Sequence, residues 1–274
     1  MAVAPIPIAL TIAGSDPSGG AGIQADLKTF SALEVYGAAV LVALTAQNTR
    51  GVTGVHEVPT DFVAAQIDSI FDDLSVAAVK IGMLATAPLI ETVAAGLDRH
   101  RAENVVLDPV MVSTAGSRLL APDAIATLRA ILMPRALLIT PNLPEAAALL
   151  DEPLAETDGQ RVAQGERLIA LGANAVLIKG GHGHEPDSID ILVDRNGVRR
   201  FHAKRVETTN THGTGCTLSS AIAAGLARGL ELDAAVAAAK TYLTEALQAA
   251  HHLAVGHGNG PVHHFHALWT DRAG

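Results

Sequence analysis

The sequence contains a single cysteine among its 274 residues, so an internal disulfide bond is excluded and a reducing cytoplasm is the expected compartment. Long apolar runs are also lacking. The longest, around residues 35–46, is too short to cross a bilayer, and no membrane partner is expected. Residues 1–8 contain two prolines and no basic region, which argues against a signal peptide.

Positive charge is scarce as well. The chain has 19 lysine and arginine residues against 28 aspartate and glutamate residues, a net charge of −9. This balance argues against nucleic acid or an anionic lipid surface as a partner. A phosphorylated small molecule is not excluded by it, because backbone amides close to a ligand can outweigh a distant field.

Apolar residues are abundant: 49% of the chain is hydrophobic and 17% is charged, as in a protein that buries a large core. Short apolar runs alternate with segments of helical periodicity, and no repeat or linker divides them, so we predict one domain over residues 1–274. The alternation predicts an α/β fold with a mostly parallel sheet and helices on both faces. The predicted strands are residues 8–13, 38–44, 77–81, 105–107, 137–139 and 175–178, and the predicted helices are residues 23–33, 60–74 with Thr60 as cap, 88–100, 123–132, 145–150, 160–171 and 218–230.

The pattern changes near the end of the chain. Residues 190–193 and 198–206 flank a turn that contains Asn196 and Gly197, which predicts an antiparallel hairpin.

A polar turn with two glycines, Gly213 and Gly215, precedes the last predicted helix. Glycine admits backbone conformations closed to other residues and lets a ligand approach the main chain. The first amides of the helix point outward at the positive end of its dipole. We therefore predict an anion pocket for a phosphate, or for the charge that develops on one during transfer. The alternative is structural: Thr214 or Thr217 caps the same helix.

Polar residues follow several predicted strands, at the sheet edge where ligands bind in parallel α/β folds. They are Ser15 and Asp16, Gln47 and Asn48, Gly82 and Met83, Asp108, Asn142 and Glu145, and Lys179 with Gly180 and Gly181.

Six segments together resemble the bacterial hydroxymethylpyrimidine/phosphomethylpyrimidine kinases of thiamine synthesis. They are LTIAGSDPSGGAGIQADLK (10–28), KIGML (80–84), VLDPVM (106–111), TPNLPEA (140–146), NTHGTGC (210–216) and GPVHHFH (260–266). The resemblance spans nearly the whole chain. It implies a ribokinase-like fold and ATP-dependent phosphorylation of 4-amino-5-hydroxymethyl-2-methylpyrimidine and then of its monophosphate. Superfamily relatives are often dimers, so a homodimer is expected by analogy.

The resemblance places Gln47 in the pyrimidine pocket, where a carboxamide suits an aminopyrimidine edge. It implies four neighbours: Gly14, Asp26, Met83 and Val110. Three of these five residues also have a plainer interpretation. Gln47 can bond its own backbone, Met83 can fill core space, and Asp26 can be a solvated charge on an amphipathic helix.

A second group is expected to serve the nucleotide and Mg²⁺. Asp108, Asn142 and Glu145 resemble the superfamily's magnesium and phosphate element, and we expect the metal to be held mostly through water. Glu145 could instead complement a helix dipole and Asp108 could be a turn residue. The nucleotide-binding candidates are Lys179, Thr208, Thr211 and Lys240, while His182 and His184 lie in a glycine-rich loop that flanks the same region.

Cys216 stands where ribokinase-like sugar kinases generally have an aspartate base. A helix N-terminus lowers the pKa of a thiol, so Cys216 is the expected base or hydroxyl-orienting group, with simple packing as the alternative. The second phosphorylation attacks from an ionised phosphate oxygen and needs no base. His212 close by in sequence raises the alternative of a Cys-His hydrolase, but no oriented third member is evident.

Two further functions remain open. A pyridoxine-type vitamin kinase is the nearest alternative, because a hydroxymethyl pyridine resembles the pyrimidine in shape. A non-catalytic pyrimidine-binding sensor is an alternative of another class, although the anion-pocket glycines and Lys179 are intact. No metal site is expected at His263, His264 and His266, since no cysteine or carboxylate partners accompany them.

Overall fold

A computed structural model of the protein describes residues 5–112, 116, 119–121, 123–181 and 186–269, and it contains one β-sheet. Its strands are β1 (Ile8–Gly14), β2 (Tyr36–Asn48), β3 (Gly51–Glu57), β4 (Val76–Ile81), β5 (Val105–Leu107), β6 (Leu138–Ile139), β7 (Ala175–Ile178), β8 (Asp187–Asp194) and β9 (Gly197–Lys204). They form one sheet in the order β3-β2-β1-β4-β5-β6-β7-β8-β9.

Most of this sheet is parallel, as the sequence predicts. The strands from β2 through β1, β4, β5 and β6 to β7 are parallel, whereas β3 at one edge and β8 with β9 at the other are antiparallel. The order reverses around β1, which has β2 on one side and β4 on the other. A crevice forms beyond the carboxyl ends of strands at such a reversal, and it is there that ligands bind.

Helices cover both faces of the sheet. They are α1 (Gly22–Ala32), α2 (Thr60–Phe71), α3 (Ala87–His100), α4 (Ala124–Thr127), α5 (Leu143–Leu150), α6 (Asp158–Ala170), α7 (Thr214–Ala227) and α8 (Leu232–Gln248). A π-helical turn (Leu128–Leu132) and a 3₁₀ turn (Met133–Arg135) continue α4. In the described part of the chain, no helix has both the length and the apolar character needed to cross a membrane.

The two faces bury separate cores because side chains alternate along each strand. Leu10 and Ile12 of β1 pack with Ile67 of α2 and Ile90 of α3 on one face. On the other face, a smaller core contains Phe30, Leu218, Ile222 and Val236 from α1, α7 and α8. The central strands are thus buried on both sides, which explains their continuous apolar sequences.

Two sequence expectations and one missed strand are informative. The hairpin is confirmed and closes with the pair Asp194–Gly197. Strand β3 is not predicted, because it contains two glycines and is mostly exposed, so it lacks a regular apolar alternation. The expected cap of α2 is wrong: Pro59 occupies the N-cap position, Thr60 is the first helical residue, and no side chain caps the helix.

Candidate active site

A cavity of about 660 Å³ opens beyond the carboxyl ends of the parallel strands. Loops that follow β1, β4, β5, β6 and β7 line it, together with the beginning of α7. This is the sheet edge at which the sequence collects polar residues. The volume is in the range of small-molecule sites.

The turn before α7 presents backbone amides to this cavity. Gly213 has φ of 80°, and a Cβ there would lie 1.8 Å from the carbonyl oxygen of Gly20, so the position requires glycine. No side chain caps α7; Thr217 Oγ1 donates to the Gly213 carbonyl, and the capping alternative is wrong. Among the described residues, no acceptor pairs with the backbone N–H of Gly215 or Cys216. These amides and the helix dipole make an anion-binding turn.

A lysine and two carboxylates lie against this turn. A Cβ at Gly215 would stand 3.4 Å from both Lys179 Nζ and Asp108 Oδ2. Lys179 Nζ donates to Asp108 Oδ1 over 2.7 Å and lies 3.6 Å from Glu145 Oε2. Burial opposes the charge of Lys179, yet Asp108 and Glu145 outweigh it and hold the pKa of the lysine above its usual value. Positive charge is therefore retained beside the free amides.

Glu145 is held in place by the start of α5. The backbone N–H of Asn142 donates to Glu145 Oε2 over 2.7 Å, and the N–H of Glu145 donates to Asn142 Oδ1 over 2.9 Å, a reciprocal capping box. Burial raises the pKa of Glu145 to about 7, with Lys179 opposing and Asp108 adding to the rise. Glu145 therefore lies where it can complement the dipole of α5, and it also lines the cavity, so its position fits both interpretations.

The Cys216 thiol lies on the first turn of α7, above a buried ion pair. Lys80 Nζ donates to both carboxylate oxygens of Asp26 over 2.9 Å, and Thr11 and Ser220 donate to the same carboxylate. Burial raises the pKa of Cys216 to about 11, although Lys80 and a hydrogen bond from the Gly22 amide lower it. The expected lowering by the helix N-terminus is therefore wrong, because desolvation and the carboxylates of Asp26 and Asp108 outweigh it.

Gln47 lies in another corner of the cavity. The two terminal atoms of its carboxamide lie 3.2 Å from Thr45 Oγ1 and 3.5 Å from His212 Nε2. His212 Nε2 in turn lies 2.7 Å from Asp16 Oδ2. Burial alone would raise the pKa of Asp16, but hydrogen bonds from His212, Ser18 and the Ala21 amide lower it to about 2.

Lys240 supports the glycine loop after β7. Its Nζ donates to Asp190 Oδ2 over 2.8 Å and to Ser188 Oγ over 3.0 Å. Asp190 Oδ1 accepts from the Gly180 N–H over 2.8 Å. Lys240 lines the cavity, and through Asp190 it holds in place the loop that follows Lys179.

The structure brings together most of the residues selected from the sequence. Of the fifteen residues given a catalytic, binding or metal role, thirteen line the cavity: Gly14, Gln47, Met83, Asp108, Val110, Asn142, Glu145, Lys179, Thr211, Gly213, Gly215, Cys216 and Lys240. Asp26 and Thr208 are not among its lining residues. Asp26 is fully buried, so the alternative that it is a solvated charge is wrong, and Thr208 Oγ1 accepts from the Asn210 N–H. His182 and His184 lie outside the described residues.

Two features were missed from the sequence. Lys80 is fully buried and lines the cavity, and the signal was a lysine inside an otherwise apolar strand. The Asp16–His212 pair joins loops that are 196 residues apart. His212 is turned toward Asp16 rather than toward Cys216 in the described contacts, so the hydrolase alternative gains no support from this geometry.

Comparisons with known proteins agree with this geometry. A family model described as phosphomethylpyrimidine kinase matches residues 16–263. The hydroxymethylpyrimidine/phosphomethylpyrimidine kinase of Escherichia coli (strain K12) is 58% identical over 261 residues, which are 95% of this chain and 98% of that protein.

Two solved structures show the same architecture. An ADP complex of Bacillus subtilis pyridoxal kinase aligns with a TM-score of 0.89 and 37% identity, over 97% of this chain and 100% of that one. A phosphomethylpyrimidine kinase from Clostridium difficile 630 aligns with a TM-score of 0.78 and 42% identity, over 88% of this chain and 99% of that one. The fold predicted from the sequence is confirmed.

Proposed function

The chain belongs to the phosphomethylpyrimidine kinase family, and from this membership we propose that it uses ATP to phosphorylate 4-amino-5-hydroxymethyl-2-methylpyrimidine and then the resulting monophosphate, in thiamine biosynthesis. The observation that carries the proposal is the anion-binding turn at Gly213 and Gly215, with Lys179 beside it. Phosphoryl transfer depends chiefly on positioning and on stabilising charge, and this turn supplies both.

In the first step, the substrate hydroxyl oxygen forms a bond to the γ-phosphorus of ATP while the bond from that phosphorus to the β–γ bridging oxygen breaks and ADP leaves. The amides of Gly215 and Cys216 and the Lys179 ammonium are the groups that stabilise the transferred phosphoryl charge. Cys216 orients the hydroxyl, and its thiolate takes the proton. With a pKa of about 11, that thiolate is a strong base but scarce at neutral pH.

In the second step, the nucleophile is an oxygen of the monophosphate, which is already ionised. No base is needed there, and the contribution of Cys216 is smaller. We assign Gln47, Gly14, Met83 and Val110 to the pyrimidine pocket, since all four line the cavity. Thr211 and Lys240 are assigned to the nucleotide side.

The donor set at the cavity suits Mg²⁺ held largely through water. Within the described residues no cluster of three or more His, Cys, Asp or Glu side chains forms a complete metal cage. Mg²⁺ usually needs only one or two carboxylates besides phosphate oxygens and water, and Asp108 and Glu145 provide two. Asp108 Oδ2 faces Gly215, while its Oδ1 is occupied by Lys179. Asn142 holds Glu145 through the capping box. When bound, the ion would neutralise phosphate charge.

The test is ATP-to-ADP turnover by the purified protein with Mg²⁺ and, in turn, the hydroxymethylpyrimidine, its monophosphate and pyridoxine. We expect turnover with both pyrimidines and less with pyridoxine. Activity on pyridoxine alone would favour the vitamin-kinase alternative, which the likeness to a pyridoxal kinase structure supports. The absence of turnover with all three would favour the sensor.

We also propose that the protein works in the cytoplasm and as a homodimer. A chain with one cysteine needs no oxidising compartment to fold. The dimer rests on analogy with ribokinase-like enzymes. Light scattering of the protein after gel filtration tests it, and a mass near 28.2 kDa would reject it.

A further inference from the structure

The orientation of the Gln47 carboxamide is set by groups that do not belong to the substrate. One terminal atom of the amide faces Thr45 Oγ1 at 3.2 Å, and the other faces His212 Nε2 at 3.5 Å. Thr45 Oγ1 also lies 2.8 Å from the carbonyl oxygen of Ser15, and His212 Nε2 lies 2.7 Å from Asp16 Oδ2. The oxygen and the nitrogen of an amide are distinguished by their hydrogen-bond partners, so these contacts decide which end is which.

The proton on His212 can be located from Asp16. The Asp16 carboxylate accepts from Ser18, from the amides of Gly20 and Ala21, and from His212, and an ionised carboxylate has no proton to give. Its pKa of about 2 keeps it ionised at neutral pH. His212 Nε2 therefore carries a hydrogen that points at Asp16, and it has no lone pair for an N–H of Gln47. The contact with Gln47 at 3.5 Å is then a minor second branch of the hydrogen bond to Asp16, and an N–H turned partly toward the amide suits its carbonyl oxygen rather than its NH₂ group.

Thr45 leads to the same assignment independently. Its hydroxyl has one proton, and the Ser15 carbonyl oxygen at 2.8 Å can only accept it. The Thr45 oxygen is then an acceptor toward Gln47, so the amide end at 3.2 Å is the NH₂ group. The contacts with Thr45 and with His212 therefore require the same amide orientation, with the NH₂ group toward Thr45 and the carbonyl oxygen toward His212. This is the reverse of the orientation in which Oε1 faces Thr45.

We propose that Thr45 and the Asp16–His212 pair are specificity-determining positioning residues, which hold the Gln47 carbonyl on the His212 side and its NH₂ group on the Thr45 side. An aminopyrimidine edge offers an amino donor next to a ring-nitrogen acceptor, and an amide in one orientation complements it. The reversed amide complements the opposite pattern, an oxo group next to a ring N–H. A held amide accepts one pattern, whereas a freely turning amide accepts both.

This inference rests on the proposed function, and the experiment separates the two. The probes are 4-amino-5-hydroxymethyl-2-methylpyrimidine and its 4-oxo analogue, in which the donor and acceptor are exchanged. We expect the wild type to prefer the amino compound in kcat/KM by more than about 100-fold, because the oxo compound leaves polar groups of the site mispaired.

The variants test the holding groups. Thr45→Val keeps the shape of the side chain but removes the hydroxyl, and it should lower the amino-to-oxo preference by at least about tenfold, the worth of one hydrogen bond to a polar group. Thr45→Ser restores the hydroxyl and should restore the preference. Thr53→Val is the matched control, since Thr53 is an exposed residue of β3 that donates to the Ala46 carbonyl outside the pocket; its preference should equal that of the wild type.

His212→Phe tests the other side and should also lower the preference. His212 packs closely against Gly20, where a Cβ would lie 2.4 Å from His212 Cδ2, so the melting temperature is used to check that this variant folds. If it does not fold, Thr45→Val and Thr45→Ser test the inference without it. Equal wild-type rates with both probes, or equal losses on both probes in Thr45→Val, would overturn the inference. Failure of the wild type to phosphorylate either pyrimidine would reject the proposed function and the inference with it.

Discussion

Lys80 Nζ lies 2.9 Å from both carboxylate oxygens of Asp26, and neither side chain is exposed to solvent. Burial opposes the ammonium charge of Lys80, but Asp26, with Cys216 and Asp108, raises the pKa above its usual value, so the lysine stays charged. Thr11 and Ser220 complete the hydrogen bonds of the carboxylate. The pair is therefore a satisfied charge cluster beneath the reacting groups.

Removing one member of this pair should destabilise the fold. We expect Asp26→Asn to lower the free energy of unfolding by about 3–5 kcal/mol, because it leaves the buried Lys80 charge uncompensated. Urea denaturation measures the change, and Asp73→Asn on the exposed turn after α2 is the matched control. A loss of less than about 1 kcal/mol would show that Lys80 is neutral or hydrated in the folded protein.

Gly215→Ala should separate activity from stability. The position is helical without a positive φ, so alanine should leave stability unchanged or raise it by about 0.4–1 kcal/mol. Its Cβ would stand 3.4 Å from Lys179 Nζ and from Asp108 Oδ2, in the space proposed for the transferred phosphoryl group. We expect kcat to fall by about 100-fold or more.

The adjacent glycine provides the contrasting variant. Gly213→Ala places a Cβ 1.8 Å from the Gly20 carbonyl oxygen at a positive φ, so it should lower the melting temperature as well as the activity. Normal activity of Gly215→Ala would reject the assignment of this turn to the phosphoryl group.

Cys216 should alkylate slowly at neutral pH, because its thiol is mostly protonated there. Its pKa is raised to about 11, so the reactive thiolate is scarce at pH 7 and increases as the pH rises. With iodoacetamide and no substrate, we expect the rate to rise about tenfold per pH unit from pH 7 to 10. Cys216 is the single cysteine of the chain, so alkylation at cysteine, followed on the peptide that contains it, reports on it alone. The urea-unfolded protein is the control and should level off near pH 8.5, the ordinary value for a thiol; a similar plateau in the folded protein would contradict the assignment.

Cys216→Ala should slow the two phosphorylations unequally. We expect the first step to slow by about 100-fold or more, the usual contribution of a positioned base, and the second step to change much less. The wild-type rate of the first step should rise with pH toward 11, as the thiolate forms, and the variant should lose this dependence. Single-turnover rates with the hydroxymethylpyrimidine and with its monophosphate give the comparison. Equal losses in both steps would falsify the role of Cys216 as base.

Much of the site could be predicted because its residues follow strands. Asp108 and Lys179 come directly after β5 and β7, and Asn142 comes three residues after the end of β6; the carboxyl ends of these strands meet at one edge of the sheet. Asp26 and Thr208 do not follow a parallel strand: Asp26 lies on α1, and Thr208 lies in a loop. Their distance from a cavity depends on how those segments pack, which no local pattern encodes.

The sequence by itself determined the order of strands and helices apart from β3, the family, and the glycine turn before α7, because apolar periodicity and motifs are local properties of the chain. Only the tertiary structure decided the ionisation of Cys216, the burial of Lys80 with Asp26, and the contact of Asp16 with His212. Each of these depends on desolvation and on charges brought close from distant segments. A helix N-terminus alone favours a thiolate, but the packed site favours the thiol.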